Sequence, residues 1–207
     1  PEGLTVEQTV QRLLREMPLF EEDELRAALV SDRLRWEHGS TEHRERAVEG
    51  LLFGDTYQLD EATVADELGL LLRMHQQFRR VVEQLDLVAR SAEVGLTPYE
   101  AVILASLIEE EALLDGDRPK ISRVIHNRLA ANWRLGIDAS SRYAAGKTAG
   151  EPMTSEDLAV VSLWNTRVVA GLPPTPIAAP GRASMEAALA PVPGSWMYYV
   201  RTDEGGV

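Results

Sequence analysis

The chain has 207 residues, 33 acidic and 21 basic side chains, a formal net charge of −12 and no cysteine. The acidic balance argues against a generic polyanion-binding surface, which needs clustered Lys and Arg, so no nucleic-acid partner is expected. Without cysteine, disulfide scaffolds, thiolate zinc sites and cysteine nucleophiles are excluded together, while 44% hydrophobic content is that of a globular chain with a real core.

In chain order, Thr5 and Gln8 fit a capping box, and Val6, Val10, Leu13, Leu14 and Met17 follow at helical spacing until Pro18 ends the segment. Residues 22 to 30 predict a second short helix carrying Leu25, Ala28 and Leu29. His38 to Arg46 is polar and reads as loop or frayed helix. The stretch Val48 to Tyr57 has the glycine punctuation and aromatic content of short extended segments. A long helical pattern runs from about Ala62 to Arg90.

Thr97-Pro98-Tyr99-Glu100 joins an N-cap threonine, a proline at the first helical position and a glutamate at N3, the strongest helix start in the chain. The helix continues as Ala101 to Ile108, apolar on nearly every side, which predicts burial. Another helix is predicted from about Lys120 to Asn132, then a loop-rich stretch after Trp133 with short helical pieces within 155–170 and 183–189. Trp196 to Arg201 reads as a closing strand. Residues 1–96 hold 20 acids and 11 bases, whereas residues 97–207 hold 13 and 10, and seven of the eleven prolines lie between Pro152 and Pro193. Two regions with different jobs are expected.

The buried helix runs into Glu109-Glu110-Glu111. Glu109 continues the stripe of Val102, Ala105 and Ala112, where a carboxyl would be partly desolvated and suited to general acid work. Spacing alone leaves open that the triplet marks a helix emerging into water, and Glu110 and Glu111 share stripes with Ile103 and Leu107. Gly146-Lys147-Thr148 resembles the end of a phosphate loop, but Ser141 stands where that loop needs glycine. The four histidines show no metal-ligand spacing, and no cofactor is expected. Asp138 reads on its own as a turn or cap residue. The Gly171 to Gly181 run, with Pro173, Pro174, Pro176 and Pro180, is a rigid segment packed under the fold, a ligand for a proline-recognition domain, or a stiff cleft wall, and composition favours none of them.

Taken in order, Ala105 to Glu111, Asp117-Arg118-Pro119-Lys120, Asn127-Arg128-Leu129, Leu135 to Asp138, Asn165-Thr166 and the Gly171 to Gly181 run resemble the YceG-like family of endolytic murein transglycosylases. Pro1-Glu2-Gly3-Leu4-Thr5 and Glu49 to Tyr57 also look like that family's segments. The resemblance implies an α+β, predominantly helical fold: a small LysM-like peptidoglycan-binding module over 1–60, a helical connector over 61–96, and a lysozyme-like transglycosylase domain over 97–207 with a Pro-rich cleft wall. It implies that Glu109 is the catalytic glutamate, that Asp138, Asn165 and Thr166 line the cleft, and that Glu111 and Glu49 are weaker substrate-binding candidates.

The implied partners are peptidoglycan glycan strands and cell-wall synthases, at the extracytoplasmic face of a bacterial membrane. No apolar run approaches the ~20 residues of a membrane span, and a start at Pro1 is expected to reflect a lost upstream anchor. The chain departs from the family at Gly54, Ala139-Ser140-Ser141, Trp164, Arg167, Thr175 and Ala179. A catalytically silent scaffold for synthases and a cytosolic helical interaction domain are the competing readings.

Overall fold

The computed structural model describes residues 1–59, 65–148, 150–200 and 206. Among them the regular structure is helical: α1 (Val6–Glu16), α2 (Glu22–Leu29), α3 (Glu67–Gln84), α4 (Leu87–Glu93), α5 (Pro98–Glu111), α6 (Arg118–Ala130), α7 (Asp138–Ala144), α8 (Ser155–Leu158) and α9 (Arg182–Leu189), with three single 3-10 turns.

The expected α+β class with a LysM-like module is therefore corrected. No β-strand occurs among the described residues. Val48 to Tyr57 is extended only locally: Val48, Leu51, Leu52 and Phe53 are buried, and the Phe53 N–H is bonded to the Met74 carbonyl of α3 at 3.3 Å, where a strand would use a neighbouring strand. The closing strand expected from Trp196 is likewise absent over 196–200. Side chains of α6 take up its carbonyls, Asn127 Nδ2 donating to Trp196 at 2.8 Å and Arg128 Nε to Met197 at 2.7 Å. Backbone groups so satisfied need no ladder. Arg201 lies outside the described residues.

The predicted capping boxes are formed at both Thr5 and Thr97. The long helix expected to Arg90 is broken: Leu85 ends α3, and Asp86 sits in the left-handed region at φ 49° before α4 begins. Asp tolerates that conformation without the Gly or Pro that would have announced a break. Ala62, where this helix was expected to start, lies outside the described residues.

α5 is the axis of the main core. Tyr99 and every residue from Ala101 to Ile108 are buried, in one apolar cluster with parts of α3, α4, α6 and α9. A second apolar cluster joins α1, α2, the start of α3, Val48 and Leu52. α3 feeds both, through Leu70, Leu71 and Met74 on one side and Phe78, Val81 and Val82 on the other. Because the middle of α5 is enclosed, its charged groups fall in the first and last turns: Glu100 caps the Thr97 N–H, and the three glutamates close the helix. No single helix among the described residues is long and apolar enough to cross a membrane.

Candidate active site

The last turn of α5 carries the three glutamates, and α9 closes over it. Glu109 Oε2 accepts from the Ser184 hydroxyl at 2.6 Å and from the Gly181 backbone N–H at 3.1 Å. The Ser184 hydroxyl in turn accepts from Arg118 Nε at 3.0 Å, and Arg118 Nη2 lies 3.8 Å from Glu109 Oε1. The side chains of Glu109 and Arg118 are 10% and 12% exposed, so the pair is largely withdrawn from water yet reachable. Arg118 is steadied from outside by Asp115.

Glu110 points elsewhere. Burial, with the Glu109 and Glu111 carboxylates beside it, raises its carboxyl to about 7, against the pull of Arg142. Glu111 Oε2 accepts from the Tyr199 hydroxyl at 3.0 Å, which ties the C-terminal stretch to the end of α5.

Glu49, 5% exposed, accepts from the Val6 N–H and the Tyr143 hydroxyl at 2.8 and 2.9 Å. Burial pushes it up to about 7 in spite of those bonds and of Arg46 nearby. Arg46 lies over the rings of Tyr143 and Trp164, 4.9 and 4.4 Å from their centroids.

The proline-rich run serves two places. Gly171 to Pro174 wall an open groove with Tyr99, Ile103 and His126, toward the start of α5. Its later half crosses the middle and end of α5: the Ile177 N–H is bonded to Ser106 Oγ at 3.1 Å, and Gly181 reaches Glu109. Gly50 is required beneath it, because its φ is +77° and an added Cβ would fall 2.5 Å from Pro176.

Asp138 opens α7, 55% exposed and ion-paired with Arg167. Asn165 and Thr166 are buried, and their side chains are spent on the protein itself. Asn165 takes the Ser141 hydroxyl on Oδ1 at 2.8 Å and donates to the carbonyls of Leu158 and Val160 at 3.0 and 2.8 Å. Thr166 Oγ1 accepts from the Ile137 N–H at 3.0 Å and pairs with Ser140 Oγ at 2.7 Å. Asp138, Asn165 and Thr166 are thus brought together around α7, while Glu109 and Glu111 share the end of α5 and Glu49 joins α7 through Tyr143.

The departures noted in the sequence answer one another. Ser140 and Ser141 bond Thr166 and Asn165, Arg167 pairs with Asp138, and Trp164 Nε1 donates to Thr175 Oγ1 at 2.8 Å. Ser184 and Arg118 are site residues that sequence reasoning gave no role. Arg118 stands inside a quoted motif, but Ser184 lies 75 positions from the glutamate it binds.

A model of the YceG-like family matches residues 1–207. The endolytic murein transglycosylase of Bacillus subtilis (strain 168) is 35% identical over 160 residues, covering 77% of this chain and 43% of that protein. The endolytic murein transglycosylase of Streptococcus pneumoniae (strain ATCC BAA-255 / R6) is 28% identical over 158 residues, covering 74% of this chain and 28% of that protein. The chain thus spans less than half the length of these relatives. The crystal structure of a putative yceG-like protein from Listeria monocytogenes superposes with a TM-score of 0.83 at 26% identity, covering all of this chain and 69% of that one.

Proposed function

The chain belongs to the YceG-like family, and on that premise we propose that it cuts peptidoglycan glycan strands internally as a lytic transglycosylase, with Glu109 as acid and then base. The observation that carries the assignment is the pair of donors on Glu109 Oε2. The Gly181 N–H cannot reverse its role, so in the protonated acid the proton resides on Oε1, the oxygen left for substrate.

Oε1 gives its proton to the glycosidic oxygen between N-acetylmuramic acid and N-acetylglucosamine as the C1–O bond breaks. The 2-acetamido oxygen of the muramic residue closes on C1 and carries the developing charge, as in substrate-assisted glycosidases. Arg118 and Ser184 hold the resulting carboxylate. That carboxylate takes the proton of the C6 hydroxyl, whose oxygen displaces the acetamido oxygen at C1 and leaves a 1,6-anhydro end. No water is consumed, so no second acid at glycosidase spacing is needed.

In this reading residues 97–207 carry the chemistry. Asp138 meets sugar hydroxyls from its exposed position, Asn165 and Thr166 fix the rim formed by α7, and Glu111 and Glu49 order neighbouring segments. The same proposal places the protein at the extracytoplasmic face of a bacterial membrane, with an anchor outside this sequence and cell-wall synthases as partners. Purified peptidoglycan digested with the chain should yield anhydro-muramic ends by mass spectrometry. Ends heavier by one water would replace the transglycosylase with a hydrolase.

A second assignment keeps the reaction and moves the acid to Glu110. Its carboxyl, raised to about 7 by burial and by its neighbours, is matched to proton donation near neutral pH. Separate Gln variants of the two residues decide between them.

A further inference from the structure

Three large aromatic side chains stay in water where the C-terminal stretch meets the end of α6. Trp133, Trp196 and Tyr198 are 46%, 48% and 68% exposed, although rings of this size gain most from burial. Between and after the last two, Met197 and Tyr199 are half-buried, and Tyr199 packs on the main core. Trp196 and Tyr198 are thus the residues of this stretch that the fold turns outward.

The backbone beneath the rings is fixed. Asn132 leaves α6 in the left-handed region at φ +53°. Its N–H is bonded to the Leu129 carbonyl at 3.0 Å and the Trp133 N–H to the Arg128 carbonyl at 2.8 Å, a paired C-terminal cap that sets where Trp133 departs from the helix. On the other segment, Arg123 holds the carbonyls of Pro191 and Val192, and Asn127 those of Gly194 and Trp196. Arg128 joins the two: it donates to the carbonyls of Leu135 and Met197, and its guanidinium carbon lies 5.2 Å from the Tyr198 ring centroid. Trp133 and Tyr198 then meet edge to face, with centroids 6.0 Å apart and planes at 66°. Trp196 lies against Gly194, where an added Cβ would stand 2.7 Å from the indole.

We propose that Trp133 and Tyr198, with Trp196 nearby in sequence, form a stacking subsite for the glycan strand, remote from the reacting bond. The proposal rests on the reading of the chain as one that cuts peptidoglycan. Rings held in place before the ligand arrives lose little freedom on binding, which suits a recognition surface.

Two observations select a sugar strand as the occupant. The first is continuity: Tyr199, next to Tyr198, donates to Glu111 at the end of α5, so one short stretch joins the rings to the turn that carries Glu109. The second is charge. Residues 118–137 hold five bases and no acid in a chain of net charge −12. Arg123 and Arg128 spend their hydrogen bonds on carbonyls, which leave the positive charge in place. A β-linked N-acetylhexosamine offers rows of C–H groups to an aromatic face, and the carboxylates of muramic peptide stems suit the guanidiniums.

Calorimetric titration with soluble, stem-bearing glycan strands tests the subsite, in a Glu109→Gln background that leaves the strands uncut. Trp133→Ala and Tyr198→Ala should each weaken binding by about five- to tenfold, the worth of one aromatic stacking partner. Trp133→Phe should recover part of the loss, and thermal unfolding should show each variant folded. In the cleaving chain, Trp133→Ala should raise the Michaelis constant for long strands and leave the turnover rate in place. Unchanged affinity in both alanine variants overturns the proposal. So does a loss confined to vesicles of phosphatidylglycerol and phosphatidylcholine, which would make the rings a membrane-facing patch. Strands bound through Trp133 and Tyr198 by a chain that cuts none would instead overturn the reading of the reaction and leave the subsite standing.

Discussion

Glu109 and Glu49 are both carboxyls withdrawn from water, and they are held in opposite ways. Glu109 meets a hydroxyl, a backbone amide and, at 3.8 Å, a guanidinium that is itself bound to that hydroxyl. Glu49 meets a backbone amide and a phenol, both uncharged, deeper in the protein. The first arrangement provides for a carboxylate that must exist after a proton has left. The second favours the neutral form, since burial outweighs what the two donors and Arg46 supply, and the group rises to about 7. A buried acid in this molecule is therefore no sign of catalysis by itself, and the contrast can be broken at several points.

The largest effect is expected at Glu109. Glu109→Gln should lower cleavage by about 10³-fold or more while glycan pull-down survives, since general acid catalysis contributes on the order of 10²- to 10⁴-fold and here one residue acts twice. Glu110→Gln should leave cleavage within about tenfold of wild type. The reverse pair of results would transfer the acid to Glu110, and loss of glycan binding along with cleavage in Glu109→Gln would mark it as a binding residue.

Next in size is the pH dependence of stability at Glu49. Its folded value of about 7 lies above the ordinary value of 4.5, so between those limits the folded chain holds more protons than the unfolded one. Stability should therefore fall as pH rises from about 4.5 to 7, by on the order of 3 kcal/mol for full ionisation of this group. Glu49→Gln should flatten that decline in thermal unfolding series across the same range. A slope equal to that of wild type would mean that Glu49 titrates normally.

The same contrast shows what the sequence could carry. α5 was legible because a capping box, a proline at its first position and apolar residues all round agree, and it is buried as expected. α7 reads as loop in the sequence, since Asp138 to Ala144 is only about two turns long and has no apolar stripe; its serines are held by Asn165 and Thr166 across the fold, not by local propensity. The strands expected over Val48 to Tyr57 and from Trp196 came from aromatic and glycine content, which here serves burial and side-chain capping. Glu109 was singled out by its stripe and by family resemblance, yet its partner Ser184 was invisible because the contact exists only once α9 lies across α5.

Ser184 offers the smallest and most specific test. It is fully buried, so Ser184→Ala removes one oxygen and opens little space. Two bonds are lost together: Arg118 Nε loses its acceptor and Glu109 Oε2 loses its hydroxyl donor, while the Gly181 N–H remains. If those bonds steady the carboxylate that follows proton donation, the turnover rate should fall by roughly tenfold, the effect of one hydrogen bond to a charged group. The Michaelis constant should change little, because the bonds do not reach substrate. Ser184→Thr, which keeps the hydroxyl, should recover part of the rate. A variant that lost affinity and kept its turnover would make Ser184 a support of the groove, and the distinction between Glu109 and Glu49 would then rest on Arg118 alone.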